Sequence, residues 1–270
     1  MKRKLSMKKL TLTVLLIATL STTACSEQKI NEWACGHEIG QEHCWSIAEK
    51  AYNNKDYDKL KKYLEISSNY GNAKSQNALG TLYETDFLGV KDYQQAVYWH
   101  KKSAEQGVAD SQFALGDKYV NGLGVKQDYL QAIKWFQKAA EQNNKQAQYS
   151  LGYMYSNGMG VQQNTKQAIE WYQKAAEQGQ VNAQYNLGIM YDFGKGIEQN
   201  YKLAFQWYKK AAEQGHKKAQ HSVASMYELG QGVEKDLLKA KEYYKKSCDN
   251  GVDKSCTGLK EIEKQLIKIK

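Results

Sequence analysis

The side chains best suited to chemistry are five cysteines, which are Cys25, Cys35, Cys44, Cys248 and Cys256. In the stretch ACGHEIGQEHC, His37 and His43 stand beside the second and third of them. Thiolate and imidazole are the ligands that Zn²⁺ prefers, so these four residues could form a zinc site. The two cysteines could instead form a disulfide. Adjacent ligands at His43 and Cys44 suit a tetrahedral site poorly. We therefore expect a disulfide between Cys35 and Cys44, with no bound metal and no cofactor.

No set of residues with the spacing of a catalytic site stands out. After residue 25 the only SxxK motif is SEQK, Ser26 to Lys29, and the SDN and KTG elements that accompany it in serine β-lactamases are absent. Four GxG elements (GLG, GMG, GKG and GQG) suggest phosphate loops. Each follows a helical pattern and not a strand, so we interpret them as turns. The sequence predicts no catalytic residue.

The N-terminus has the pattern of an export signal. A basic stretch, MKRKLSMKKL, precedes the apolar run LTLTVLLIATL, which is shorter than the roughly 20 residues that span a bilayer. STTAC then places small residues before Cys25, which resembles the lipobox of bacterial lipoproteins. The resemblance implies a lipoprotein signal peptide over 1–24 and lipidation of Cys25. Ordinary cleavage that leaves a free thiol is the alternative.

Lipidation of Cys25 would leave an even number of cysteines, as an exported protein with disulfides requires. Residues 25–41 then form a lipidated tether that contains Cys35. Ser26 follows Cys25 where an inner-membrane lipoprotein has aspartate, so the resemblance implies an outer-membrane lipoprotein that faces the periplasm. This compartment is oxidising, which agrees with the predicted disulfides.

The formal net charge of +9 does not indicate a nucleic-acid partner. Five basic residues and no acidic residue lie in the first 24, so the charge without them is +4. Arg3 is the only arginine, and the rest of the chain lacks the planar group that binds phosphate bidentately. We expect no nucleic-acid binding.

An internal repeat of 36 residues organises the rest of the chain. The glycine of an LG pair, a tyrosine three residues later, a small residue and an aromatic residue recur at this period. The LG glycines are Gly80, Gly116, Gly152 and Gly188, with Ala224 in the fifth copy. The aromatic residues are Trp99, Trp135, Trp171, Trp207 and Tyr243.

Each copy predicts two helices joined by a glycine-rich loop. Ala147, Leu151 and Tyr155 share one face of the first helix, and Ala168, Trp171 and Ala175 line the second. One hairpin cannot bury its own apolar face, so neighbouring hairpins must stack. The chain contains no proline, which agrees with uninterrupted helices.

The pattern AxxxLGxxYxxGxGVxxDxxxAxxWxxKAAExG closely resembles the Sel-1-like repeat, a relative of the tetratricopeptide repeat. The resemblance implies an all-α fold, a right-handed α/α superhelical solenoid of helical hairpins. Five repeats occupy 73–252, a tetratricopeptide-like capping hairpin occupies 42–72, and an amphipathic capping helix occupies 253–270. The first copy departs from the pattern, with Asp86 at the first loop glycine.

Cys248 and Cys256 flank the turn between the fifth repeat and the capping helix, where two antiparallel helices run close together. We therefore predict a disulfide that links the cap to the last repeat. The same spacing resembles the cysteine-rich secreted branch of Sel-1-like proteins. That branch is associated with penicillin binding and weak β-lactam hydrolysis, so a β-lactam or peptidoglycan-fragment hydrolase is one alternative function.

The favoured function is a non-catalytic interaction scaffold of the cell envelope. By resemblance to tetratricopeptide repeats, one face of the first helices lines a concave groove that binds another envelope protein or an extended peptide. The residues predicted to contact the partner are Phe113, Asp117, Tyr149, Tyr153, Tyr185 and Ile189. Packing of these aromatic residues between hairpins is the competing interpretation. A secreted host-interaction factor is a second alternative function.

Overall fold

A computed structural model describes residues 41–269, and these residues form helices and no strands. The chain divides into two compact units between Ser103 and Ala104. The α-helices, numbered in chain order, are α1 (Gln41–Asn53), α2 (Tyr57–Asn69), α3 (Ala73–Tyr83), α4 (Tyr93–Glu105), α5 (Ala109–Asn121), α6 (Tyr129–Glu141), α7 (Lys145–Asn157), α8 (Thr165–Glu177), α9 (Val181–Phe193), α10 (Tyr201–Glu213), α11 (Lys217–Leu229), α12 (Leu237–Asp249) and α13 (Asp253–Ile269).

Each repeat is an antiparallel hairpin, and in the second to fifth repeats a glycine ends the first helix. In the third repeat α7 ends at Gly158, which has φ 67° and closes the helix in the left-handed conformation. The loop then returns, and the amide of Asn164 donates to the carbonyl of Tyr155 at 2.9 Å. The Asn164 side chain accepts from the amide of Gln167 and so caps α8. A left-handed glycine therefore ends the first helix, and a side-chain cap begins the second.

The second helix places a ring directly across the LG glycine of the first. A Cβ atom added to Gly152 would lie 2.6 Å from Tyr172 Cδ1, and one added to Gly116 would lie 2.6 Å from Phe136 Cδ1. Both rings are almost fully buried. The glycine thus admits a large ring between two helices, as dense packing of the core requires.

The position of this buried ring corrects the sequence interpretation. Trp171 was expected in the core of α8, but Ile169 and Tyr172 are buried there and Trp171 is half-buried. The Lys174 ammonium lies 4.2 Å from the Trp171 ring centroid, so the indole lies at the surface under a lysine. The two residues are adjacent on the helix, and only the direction of the neighbouring helix decides which ring is buried.

Buried glutamines connect successive helices within the second unit. Gln148 Nε2 donates to the carbonyl of Ala140 at 3.2 Å, and Gln148 Oε1 accepts from Gln178 Nε2 at 2.7 Å. Equivalent pairs of bonds involve Gln112, Gln184 and Gln220. Each amide joins three consecutive helices, which satisfies the buried polar groups and holds the hairpins in register.

The first unit contains the hairpin α1–α2, helix α3 and most of α4. Lys55, with φ 58°, closes a short turn between α1 and α2. The first repeat has the 3₁₀ helix Asp86–Leu88 in place of the GxG loop, at the position where its sequence departs from the repeat pattern. Phe87 in this helix stacks on Tyr57, with ring centroids 4.3 Å apart.

Helix α13 covers the end of the last hairpin. Ile262 is fully buried, and Leu259 and Leu266 pack against the same cluster. A disulfide joins Cys248 near the end of α12 to Cys256 in α13, with a Cα–Cα distance of 4.8 Å. Cys44 is disulfide-bonded and buried, while its predicted partner Cys35 lies outside the described residues.

Candidate binding face on the first helices of the repeats

The six predicted contact residues form two rows on the first helices. Phe113, Tyr149 and Tyr185 occupy the same position in α5, α7 and α9, and we call them the aromatic ridge. Asp117, Tyr153 and Ile189 lie one helical turn later in the same helices. The helical rise places the two rows about 6 Å apart.

The aromatic ridge is partly a packing feature. Phe113 lies 5.7 Å from Phe136 between ring centroids, Tyr149 lies 5.8 Å from Tyr172, and Tyr185 lies 5.7 Å from Tyr208. All three members are half-buried, and each rests on the buried ring of its own hairpin. These three ring contacts lie within a hairpin, and the clusters that Phe113 and Tyr149 join also include residues of the next hairpin. Packing between hairpins was the competing interpretation of the sequence.

One exposed ring and one pocket distinguish the middle of this face. Tyr153 is 45% exposed, and its centroid lies 6.5 Å from that of Tyr149. A pocket of about 200 Å³ opens beside these two tyrosines, and we call it the tyrosine pocket. It is lined by Asp117, Val120, Phe136, Tyr149, Ser150, Tyr153, Met154 and Met159.

The tyrosine pocket unites three of the six predicted residues. Asp117, Tyr149 and Tyr153 line it, but Phe113, Tyr185 and Ile189 do not. The sequence interpretation overlooked Val120. It is the single apolar residue at this position of the repeat, since the other copies hold Glu84, Ser156, Asp192 and Glu228. In the fourth repeat Tyr208 donates to Asp192 at 3.2 Å, whereas Val120 and Phe136 cannot form such a bond. The part of the pocket wall that Val120 and Phe136 form is therefore apolar.

The electrostatics of the tyrosine pocket favour an uncharged aromatic surface. Burial raises the pKa of Tyr149, chiefly by removing water from the phenol, and also raises that of Tyr172 beneath it. Both phenols therefore stay neutral at physiological pH. The carboxylate of Asp117 lies 3.5 Å from Lys118 Nζ and accepts from Asn121 Nδ2 at 3.0 Å. Its charge is largely compensated within the protein.

One histidine–serine contact has the residue types of a catalytic pair but not its accessibility. His221 Nδ1 lies 2.8 Å from Ser255 Oγ, but this serine is fully buried and its hydroxyl donates to Ser247 Oγ at 2.7 Å. A similar serine pair, Ser67 and Ser75, occurs in the first unit without a histidine. The pair is therefore a packing element between hairpins, and a substrate could not reach the hydroxyl.

Metal-ligand clusters and membrane-spanning helices are both absent from residues 41–269. These residues contain no group of three or more His, Cys, Asp or Glu side chains arranged to hold a metal ion. Two of the zinc candidates, Cys35 and His37, lie outside that range, as does the predicted lipidation site Cys25. No helix in the described part of the chain is long and apolar enough to cross a membrane.

Stacked hairpins of constant length, linked by buried amides, define a helical repeat protein. The Sel1 repeat family model matches five consecutive segments, which are residues 73–108, 109–144, 145–180, 181–216 and 217–252. These segments make up two thirds of the chain, which therefore belongs to the Sel1 repeat family. The predicted family and the all-α repeat class are confirmed. Proteins of this family are generally protein-interaction scaffolds.

Two solved structures are similar to this chain. One is c5321, a protective antigen of uropathogenic Escherichia coli with 37% identity and a TM-score of 0.74, matched over 77% of this chain and 45% of that chain. The other is a Sel1 repeat protein from Oxalobacter formigenes with 37% identity and a TM-score of 0.70, matched over 78% and 84%. This chain thus spans less than half of the Escherichia coli antigen. A comparison with curated proteins found no match.

Proposed function

We propose that this chain is a non-catalytic scaffold of the bacterial cell envelope that holds another envelope protein or an extended peptide on the first-helix face of the second unit. The observation that carries this proposal is the tyrosine pocket with the exposed ring of Tyr153 at its edge. An exposed aromatic side chain beside an apolar pocket is typical of the anchor points of protein interfaces.

The size and lining of the tyrosine pocket favour one side chain as its occupant. Pockets for small organic ligands usually enclose roughly 300–1,000 Å³, more than this pocket offers. Met154 and Met159 line it, and flexible thioethers adapt to varied apolar partners. An apolar side chain of the partner would enter the pocket while the aromatic ridge supports the neighbouring backbone.

The envelope location rests on the N-terminal pattern. Basic and apolar stretches precede Cys25, and a lipid on that cysteine would hold the chain at the membrane. The disulfide between Cys248 and Cys256 requires an oxidising compartment, which supports export. The partner is accordingly expected among envelope proteins.

Site-specific crosslinking in cells tests the binding face. A photoreactive residue at position 146, exposed on α7, is compared in the otherwise wild-type chain and in a Tyr153→Ala variant. The expected result is one crosslinked envelope protein, identified by mass spectrometry, whose yield falls at least about tenfold in the variant, as for an interface hot spot.

Phe193→Ala is the matched control, because Phe193 is also an exposed aromatic residue of a first helix and does not line the tyrosine pocket. The control should retain the crosslink. Equal yields from wild type and Tyr153→Ala would exclude this face as the binding site. Absence of any specific crosslink would contradict the scaffold function.

A further inference from the structure

A second and larger cavity lies in the first unit, outside the face described above. It encloses about 530 Å³ and is bounded by α1, α2, α3 and the 3₁₀ helix. We call it the cap groove, and it is lined by Trp45, Ala48, Glu49, Tyr52, Asn53, Leu60, Leu64, Ala78, Thr81, Leu82, Thr85 and Phe87. Most of these residues are apolar, and Tyr52 and Phe87 are 54% and 45% exposed.

The short turn of the capping hairpin explains why this cavity is open. In the third repeat the long loop brings Met159 and Val161 back against the cluster of buried residues that α6 and α7 share. Between α1 and α2 only Asn54, Lys55 and Asp56 connect the helices, and no apolar residue is among them. Within residues 41–269, the face of α1 therefore lacks the cover that a repeat loop provides.

The two threonines of the cap groove offer no free hydroxyl donor to a partner. The hydroxyl of Thr81 donates to the Asn77 carbonyl at 3.1 Å, and that of Thr85 donates to the Leu82 carbonyl at 2.7 Å. Both donors are thus engaged within α3 and its end. An extended strand would bury a continuous row of backbone groups in this mostly apolar groove, where Trp45, Glu49 and Asn53 supply few partners, whereas an α-helix satisfies its own backbone.

The geometry of α1 fits a helix of about two turns. Trp45, Ala48, Glu49 and Tyr52 occupy positions i, i+3, i+4 and i+7, which form one continuous face. From the first to the last of them the helix advances about 10 Å. A partner helix with apolar residues at the same spacing would place its side chains over Leu60 and Leu64 on the floor.

The charge of the cap groove favours a basic helix. Glu49 is exposed, and no hydrogen bond or ion pair engages its carboxylate within residues 41–269. The Lys74 ammonium beside the groove instead lies against the Trp45 ring, 5.2 Å from its centroid. The chain's own segment 26–40 carries three glutamates and one lysine, so it would bring like charge to this wall. From these observations we infer that the cap groove binds a basic amphipathic α-helix of a partner protein, by apolar anchors on its floor and a cation at Glu49.

A fluorescent model peptide tests this inference on the full-length chain. The probe has about 14 residues of Leu, Ala and Lys, with leucines at i, i+3, i+4 and i+7 of the helix period. One control peptide has the same composition with leucines and lysines alternating, and a second has Glu in place of Lys. Fluorescence anisotropy is expected to show saturable binding of the helical basic peptide alone.

Two variants, each with a matched control, locate the binding. Thr81→Trp fills the groove from an exposed position and should weaken binding at least about tenfold. Ser46→Trp, at an exposed position of α1 that does not line the groove, should not. Glu49→Lys should weaken the basic peptide roughly three- to fivefold and improve the Glu peptide, as for a rim charge pair, whereas Glu42→Lys should do neither. Thermal unfolding confirms that each variant is folded.

Several results would overturn the inference. No saturable binding, equal binding of the alternating peptide, or indifference to Thr81→Trp would each do so. Tight binding of a synthetic 26–40 peptide would assign the cap groove to the chain's own segment. Self-association of the protein that Thr81→Trp abolishes would assign it to a second copy. Retention of peptide binding in Tyr153→Ala separates this site from the tyrosine pocket.

Discussion

At Gly152 the first helix of the third repeat passes so close to Tyr172 that no side chain fits between them. Single residues of this kind decide whether a hairpin closes. The fifth repeat has Ala224 in place of this glycine. There the ring of Tyr244 lies against Gly258 of α13. The same ring-on-glycine contact is thus made with the capping helix.

The variant Gly152→Ala should lower the free energy of unfolding by about 1–3 kcal/mol, because the new methyl group overpacks the core against Tyr172. Urea denaturation measures the change. Replacing the ring by a smaller side chain should relieve the clash. Tyr172→Leu should therefore destabilise the protein by itself, but Gly152→Ala should be nearly neutral when it is added to Tyr172→Leu. Additive effects of the two substitutions would show that the contact is not the cause.

His216 should make stability depend on pH. Its Nδ1 accepts from the amide of Ala219 at 3.1 Å, and burial, reinforced by Lys218, lowers its pKa below 6.5. The folded state thus favours the neutral ring. Its contribution is complete above about pH 6.5 and is lost as the pH falls through the lowered pKa.

Asparagine caps the equivalent helix at Asn144 without titrating, so His216→Asn should reduce the loss of stability between about pH 7.5 and pH 5. Urea midpoints at both pH values measure this. The pKa of His221 is also lowered by burial, and this histidine remains in both proteins, so the slope should decrease without vanishing. An unchanged slope would exclude His216 as a titrating cap.

At the scale of the element, the two ends of the described chain are stabilised in different ways. Helix α13 covers the last hairpin with Ile262 and is tied to it by the disulfide of Cys248 and Cys256. The hairpin α1–α2 instead leaves the cap groove open beside α3. Terminal repeats lack a neighbour on one side, so each end needs its own solution.

Replacing both cysteines of the C-terminal disulfide by serine should destabilise the docking of α13 by roughly 2–3 kcal/mol, the value expected for closing a short loop. Hydrogen exchange should show faster exchange of α13 amides, while amides of α7 and α8 stay protected. Wild type in oxidising buffer is the reference, since a reductant would also break the disulfide of Cys44. Unchanged protection of α13 would mean that packing alone holds the helix.

At the scale of the whole molecule, the chain combines an N-terminal segment of export-signal composition with two units of helical hairpins. A scaffold of this kind would depend on its tether for location and on its helical faces for binding. The proposed lipid at Cys25 would therefore determine the membrane at which the protein binds a partner.

Fractionation of cells tests the tether. The wild-type chain should be found in the membrane fraction, and Cys25→Ser should be found in the soluble periplasmic fraction, because a lipid chain and not a membrane-spanning helix provides the anchor. Ser26→Asp should keep the chain in membranes but move it to the inner membrane. Retention of Cys25→Ser in membranes would refute lipidation.

The repeat, the helices and their ends followed from the sequence because their causes are local. A left-handed glycine such as Gly158 ends a helix and an Asn such as Asn164 starts one, whatever surrounds them. The period of 36 residues then implied stacking, since one hairpin cannot bury its own face. The all-α repeat class and the Sel1 family needed nothing further.

Only the tertiary structure decided which ring of α8 is buried, which tyrosines share a pocket and where a cavity stays open. Trp171 and Tyr172 are neighbours in sequence, and the direction of α7 selects the second. The tyrosine pocket depends on Val120 and Phe136 from different helices, and the cap groove depends on a loop that the first hairpin lacks. Such features arise from the relative placement of helices, which the pattern within any one helix does not specify.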